Sequence, residues 1–169
     1  MVATCSRGLE EVLAGELRAL GAENVAPGRG SAGFSGDLRT VYEANLRLRT
    51  AMRVLVPAVR GLLRSRQDLY ELAASVAWDE VFAPGQSFAV EVVGRHPAFR
   101  RTTFAGQVVK DAIADRLREL RGSRPDVDRD DPDVRLHLRL VDAGVPAVMV
   151  DSSELLHYQR RLLEKGTLL

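Results

Sequence analysis

The chain has 169 residues, a formal net charge of +1 from 24 basic and 23 acidic residues, 46% hydrophobic and 28% charged content, and one cysteine, Cys5. The length supports one large domain or two small ones with real cores, and the composition excludes an intrinsically disordered chain. The lone cysteine excludes an internal disulfide framework and a multi-cysteine zinc site, and the near-neutral balance leaves only local clustering of charge to argue for nucleic acid. In chain order, residues 2–5, "VATC", read as a short strand. Ser6 is placed to cap a helix with Leu9, Val12, Leu13, Leu17 and Leu20 on one face, stopped at Gly21. Residues 23–36 are broken by glycines and Pro27 and read as two short strands joined by a turn. Asp37 caps a second helix with Leu38, Val41, Tyr42 and Leu46 inward. The β-branched run from Met52 to Leu63 closes the unit. Strand, helix, strand, strand, helix, strand is the order of a ferredoxin-like βαββαβ unit, set at residues 1–63.

Residues 64–67, "RSRQ", read as a polar connector. Asp68 and Glu71 form a D-x-x-E capping pattern before Leu72, Ala73 and Val76. "AWDEVFAPG" gives a second short helix ending at Pro84-Gly85, "SFAVEVV" a strand, and "GRHPAFRR" a loop. A long helix from about Thr103 to Leu120 follows, capped by Thr102 or Thr103, with Ala105, Val109, Ala112, Ile113, Leu117 and Leu120 as its buried stripe. After a polar connector, "VRLHLRLV" alternates strictly, which predicts a strand with one face in and one out. "DAGV" turns it into "PAVMVDS" as a hairpin. A strand, a long helix and a strand predict a parallel pair with a right-handed crossover. The second half is thus an ααβαββ unit, and the whole chain is α+β or α/β. The expected location is the cytoplasm: the N-terminus lacks the apolar core of a signal peptide, and no apolar stretch approaches the ~20 residues that span a bilayer.

On the long helix, Gln107, Lys110, Arg118 and Arg121 fall within a sector of roughly 100° at about 3.6 residues per turn. Arg95, His96, Arg100 and Arg101 stand in the loop leading in, and the helix N-terminus adds partial positive charge. These form a candidate phosphate-binding face, against the alternative of a solvated face balanced by Asp111 and Asp115. Arg135, His137 and Arg139 share one strand face; pairing with Glu91 is favoured there over nucleic-acid contact. Arg47, Arg49 and Arg53 read as charge compensation at a helix end. Asp128, Asp130, Asp131 and Asp133 lack the glycine and terminal Glu of a calcium loop and argue that their edge faces away from RNA. The three histidines have no metal-ligand spacing, and neither a P-loop nor a G-x-G-x-x-G is present. Cys5 reads as a small buried residue, and Trp78, Tyr70 and Phe82 as core. No catalytic constellation and no cofactor site emerge, which favours a binding module over an enzyme.

Four stretches then resemble one family in the right order. "VATCSRGLEEVLAGELRALGAENV" resembles the opening of THUMP-containing RNA methyltransferases. "FAGQVVKDAIADRLRE" resembles the K-D-A-I helix of the THUMP domain, "VDRDDPDVRLHLRL" the acidic turn and strand after it, and "SSELLH" the S-G-E-S-L-H exit segment. The resemblance implies a ferredoxin-like domain at 1–63 and a THUMP domain at 64–152. In the family these precede a Rossmann-like domain that uses S-adenosylmethionine to methylate guanine N2 in large-subunit rRNA or tRNA. It implies RNA as partner, a tRNA acceptor stem or large-subunit rRNA, and a methyltransferase domain or subunit. Lys110 matches the family lysine, with Arg95, Arg100 and Arg101 in the corresponding loop. The chain departs from the pattern in lacking a glycine-rich cofactor loop and an N-P-P-Y-type motif, in Gly106 and Gln107, and in Ser153. Residues 153–169 are expected to be a divergent or truncated tail. A ferredoxin-like assembly protein with an incidental basic face is the alternative of another class.

Overall fold

The computed structural model describes residues 1–142 and 145–152. The middle of the expected "DAGV" turn and the exit segment from Ser153 onward lie outside the described residues. The chain divides into two compact units, one of residues 1–56 with 151–152, the other of residues 57–150.

In the first unit the order is β1 (Val2–Thr4), α1 (Glu10–Ala19), β2 (Glu23–Gly28), β3 (Ser31–Ser35), α2 (Leu38–Arg47) and β4 (Arg53–Arg60, whose residues from Pro57 onward fall in the second unit). The strands lie in the order β2-β3-β1-β4, with β1 antiparallel to both β3 and β4 and β3 antiparallel to β2. That is the expected ferredoxin-like βαββαβ sheet. Its core is Ala3, Leu13, Ala14, Leu17, Ala32, Phe34, Val41, Ala44 and Val54, joined by Cys5, whose burial pushes its thiol pKa up. α1 ends in a Schellman motif, Ala22 N–H donating to the Leu17 carbonyl and Gly21 N–H to that of Arg18. Asp37 caps α2 as expected, accepting from the Thr40 N–H at 2.8 Å.

Two local expectations differ. Ser6 does not cap α1; the first helical residue, Glu10, instead accepts from the N–H groups of Gly8 and Gly30 at 2.7 and 2.8 Å. The buried faces are narrower than the apolar patterns: Val12 and Leu38 are half exposed and Leu46 is 80% exposed. Small residues explain this, because Ala14 and Ala44 let the helices lie close on the sheet through a narrow stripe.

The second unit contains α3 (Arg66–Ala74), α4 (Trp78–Val81), β5 (Phe88–Gly94), α5 (Thr102–Arg121), β6 (Val134–Leu140) and β7 (Ala147–Asp151, whose last residue falls in the first unit). β5 and β6 pair in parallel from Phe88↔Val134 to Gly94↔Leu140, and β6 pairs antiparallel with β7. The order ααβαββ and the crossover through α5 match the sequence expectation. α3 and α5 pack together, over a core containing Leu69, Trp78, Phe82, Phe88, Ile113 and Leu117. The Trp78 indole N–H donates to the Ala73 carbonyl at 2.7 Å, so the largest side chain is buried without an unpaired donor. Gly94 has φ +86, and a Cβ there would drive into the Leu140 carbonyl. Only glycine closes the end of the β5–β6 pair.

Here too caps and faces shift. α3 begins one turn earlier than its sequence signal: Ser65 is the N-cap, and Ser65 with Asp68 makes the capping box, so the expected connector is partly helix. α5 has Arg101 at its N-cap and no capping side chain, not Thr102 or Thr103. Leu120 is exposed rather than in the stripe, while Gly106 and Val108 join it. A Cβ on Gly106 would come within 2.8 Å of a Val92 methyl, so the glycine sets how closely α5 approaches β5. β6 does not show a solvent face: Arg135 and Arg139 are half-buried and His137 is buried. His137 stands in register between Glu91 of β5 and Met149 of β7, so its face is covered by neighbours on both sides.

Candidate nucleic-acid interface

The second unit carries a cleft of about 400 Å³ along the β5 edge, between β5, the first half of α5 and the connector before β6. β5 is the outer strand of the β7-β6-β5 group. Lys110, Arg129 and Arg135 all line the cleft, together with Gln107, Thr102, Thr103 and Glu91. Lys110 is half-buried. Arg135 reaches the cleft because its register partner on β5 is Ala89, whose methyl leaves the path across the strand open. Arg129 comes from the acidic connector. Asp128 there accepts from the N–H groups of Asp130 and Asp131, and Asp133 is bonded to Ser87 at 2.9 Å. Two of the acids are thus spent on shaping the connector, which gives the cleft Val127 and the cation Arg129. The sequence expectation for this edge rested on its acids and did not include Arg129 among the candidate residues.

Within the described residues, none of Lys110, Arg129 and Arg135 has a carboxylate within ion-pair distance. Glu91, the acid in the cleft, faces His137 Nδ1 at 3.4 Å, as the strand alternation predicted. The N-terminus of α5 opens beside these cations with no side chain capping it, so the positive end of the helix is not neutralised by a capping carboxylate. The cations and the helix dipole thus act in the same direction, which suits phosphate oxygens.

The sequence-selected residues do not all gather there. Lys110 and Gln107 line the cleft; Gln107 also donates to Asp111 at 2.8 Å. Arg100 and Arg101, both exposed, line an adjoining groove on the loop side of α5. Arg95 is exposed, and its Nε donates to Asp142 at 2.8 Å, which holds its guanidinium more firmly protonated. Arg118 is exposed near Asp115. Arg121 donates to the carbonyls of Asp79 (2.8 Å) and Phe82 (2.5 Å) and so closes the C-terminal end of α4. Lys110 and Arg121 are eleven residues apart, about 16 Å of helix, too far to grip one phosphate. Asp115 is held below the usual carboxylate range, chiefly by the Arg124 guanidinium at 2.7 Å, and it also accepts from the Tyr70 hydroxyl. Asp115 is therefore engaged by Arg124 and, on α3, by Tyr70. Of the arginines expected to compensate charge at the end of α2, Arg47 pairs with Glu43 on the helix, while Arg53 lies in β4 and pairs with Asp151. No group of His, Cys, Asp and Glu among the described residues is arranged to hold a metal, and no helix among them is long and apolar enough to cross a membrane.

A ferredoxin-like unit followed by an ααβαββ unit with a basic helix edge is the plan of a THUMP-containing protein. Residues 1–55 match the RlmL ferredoxin-like domain and residues 64–145 the THUMP domain. The chain belongs to the THUMP family, in the group whose THUMP domain follows an RlmL-type ferredoxin-like domain. It is 38% identical over 137 residues to the ribosomal RNA large subunit methyltransferase K/L of Saccharophagus degradans, covering 81% of this chain and 18% of that one. The protein of the same name from Cellvibrio japonicus is 36% identical over 165 residues, covering 98% and 22%. The chain thus spans about a fifth of the length of these relatives. Among solved structures, TrmN from Thermus thermophilus superimposes with a TM-score of 0.68 at 29% identity, over 89% of this chain and 44% of that one.

Proposed function

We propose that this chain holds RNA for base modification, and that it does so with the cleft beside α5. The observation that carries this is the convergence of Lys110, Arg129 and Arg135, from three separate elements, on one cleft with no ion-pair partner among the described residues. Arg100 and Arg101 extend the positive surface past the helix N-terminus. Such contacts hold a backbone in position and carry no sequence information themselves. Of the two RNA classes weighed, the relatives' name favours large-subunit rRNA over the tRNA acceptor stem. In this reading the chain is a substrate-binding part with no catalysis of its own. The methyl transfer in the relatives' name, with its S-adenosylmethionine, comes from a methyltransferase domain or subunit, and the residues described above offer no glycine-rich loop for that cofactor. The setting for such work is the cytoplasm.

Fluorescence anisotropy with large-subunit rRNA fragments and with bulk tRNA, at low and moderate salt, tests the proposal. Binding should weaken steeply with salt, since each phosphate contact contributes about 0.7–0.9 to the logarithmic slope. Reversal of Lys110, Arg100 and Arg101 to Glu should abolish it. Salt-independent self-association without RNA binding would favour the assembly-protein alternative.

A further inference from the structure

Phe104 lies in the first turn of α5, yet 47% of it is exposed. Single exposed apolar residues are common, but the surroundings of this one are not neutral. The Arg66 guanidinium, from the start of α3, stands over its ring with Cζ 5.3 Å from the centroid. On the loop side, Phe104 borders the groove of about 540 Å³ that also holds Arg100, Arg101 and Thr103. Arg66 is not among the residues lining that groove, so Phe104 meets a cation from α3 and also borders the groove. Phe99, buried at the groove floor, keeps the loop folded, its N–H donating to the His96 carbonyl at 2.9 Å.

We propose that Phe104 is a stacking platform for one unpaired RNA base, and that Arg66 holds the ring in position for it. The proposal rests on the RNA reading above and assigns the groove a specific task within it. Every nucleobase has an apolar face that gains by covering an exposed aromatic ring. A base lying on Phe104 puts its own phosphates beside Arg100 and Arg101, which supply the opposite charge. A duplex keeps its bases stacked internally and offers none to the ring, so the groove distinguishes an unpaired nucleotide from a paired one. The charged cleft holds the backbone without regard to pairing, whereas the aromatic groove selects for a free base.

The test uses the full 169-residue chain and two RNA hairpins, one with an unpaired 3′ adenosine tail carrying a 2-aminopurine, the other without a tail. Phe104→Ala should bind the tailed hairpin roughly 5- to 150-fold more weakly, with an unchanged salt slope, because stacking releases no counterions. Binding of the tailless hairpin should not change. The 2-aminopurine fluorescence should be quenched on binding to the wild type and to Phe104→Tyr, and not to Phe104→Ala. An unchanged thermal midpoint excludes misfolding as the cause. If wild type and Phe104→Ala bind the tailed hairpin equally, with steep salt dependence and the same fluorescence, the stacking role is wrong and the RNA reading stands. If the wild type binds neither hairpin at low salt, the RNA reading fails and the stacking role falls with it.

Discussion

The two units are both rich in arginine but use it differently. In the ferredoxin-like unit, Arg39 and Arg47 reach Glu43, and Arg53 reaches Asp151. Its acids Glu10 and Glu16 are spent on backbone N–H groups of neighbouring loops. In the THUMP unit, Lys110, Arg129 and Arg135 come from a helix, a connector and a strand to the same cleft, and the described carboxylates stay out of ion-pair reach. The number of arginines therefore says little about function. What separates the units is whether cations converge while their natural partners are engaged elsewhere.

The largest test of this contrast is structural. Gly94→Ala places a Cβ against the Leu140 carbonyl at a positive φ, and should cost more than about 3 kcal/mol or prevent folding of the THUMP unit. In the ferredoxin-like unit, Gly33→Ala meets only the Ala26 carbonyl at 3.8 Å, and should change stability by less than about 1 kcal/mol. Urea midpoints compare the two. Next comes binding. Replacing Lys110, Arg129 and Arg135 together by Gln should lower the logarithmic salt slope by about 2 and weaken RNA binding about 100-fold at low salt. Replacing Arg18, Arg29 and Arg39 of the other unit in the same way should leave both nearly unchanged. Equal losses from the two triples would break the comparison.

A smaller effect is expected at the helix caps. Ser65→Ala removes the capping box of α3 and should cost about 1 kcal/mol. Ser6→Ala, at the position whose expected cap is not formed, should be close to neutral; thermal midpoints decide. The smallest effect is on acid stability. Glu10 is held below the usual carboxylate range first by the Gly30 N–H, Asp37 by that of Thr40, Asp68 by that of Arg64, and Asp115 by the Arg124 side chain. A carboxylate with a lowered folded pKa stabilises the fold above its unfolded value of about 4, and that contribution is lost as pH falls through the folded value. Both units should therefore weaken below about pH 4. Asp68→Asn should flatten the loss of urea midpoint in the THUMP unit, and Asp37→Asn in the ferredoxin-like unit.

Much of the fold was legible from local rules. The order of elements, the cap at Asp37, the stop at Gly21 and the parallel β5–β6 pair follow from turn residues, hydrophobic period and crossover handedness. The misjudged caps share a cause. Ser6, Thr102 and Ser65 are all residues that can cap, and which of them does so depends on backbone geometry and on competing acceptors such as Glu10 and Asp68. The misjudged faces share another: Leu46 and Val12 look like core by period, but alanines set the closest approach of each helix and leave them outside.

The site divides in the same way. Lys110 was visible because it is an isolated lysine amid arginines on an amphipathic helix, and the loop arginines because they precede a helix N-terminus. The sequence also shows neither a P-loop nor a G-x-G-x-x-G, since those motifs depend on spacing within a short stretch. Only the tertiary structure decided that Arg129 and Arg135 join Lys110, that Arg121 is committed to carbonyls of Asp79 and Phe82, and that Phe104 is left exposed beneath Arg66. The physical reason is distance along the chain. Helical and strand periods fix which residues share a face of one element, whereas convergence between elements depends on register and packing, here on Ala89 clearing a path for Arg135 and Gly106 drawing α5 against β5.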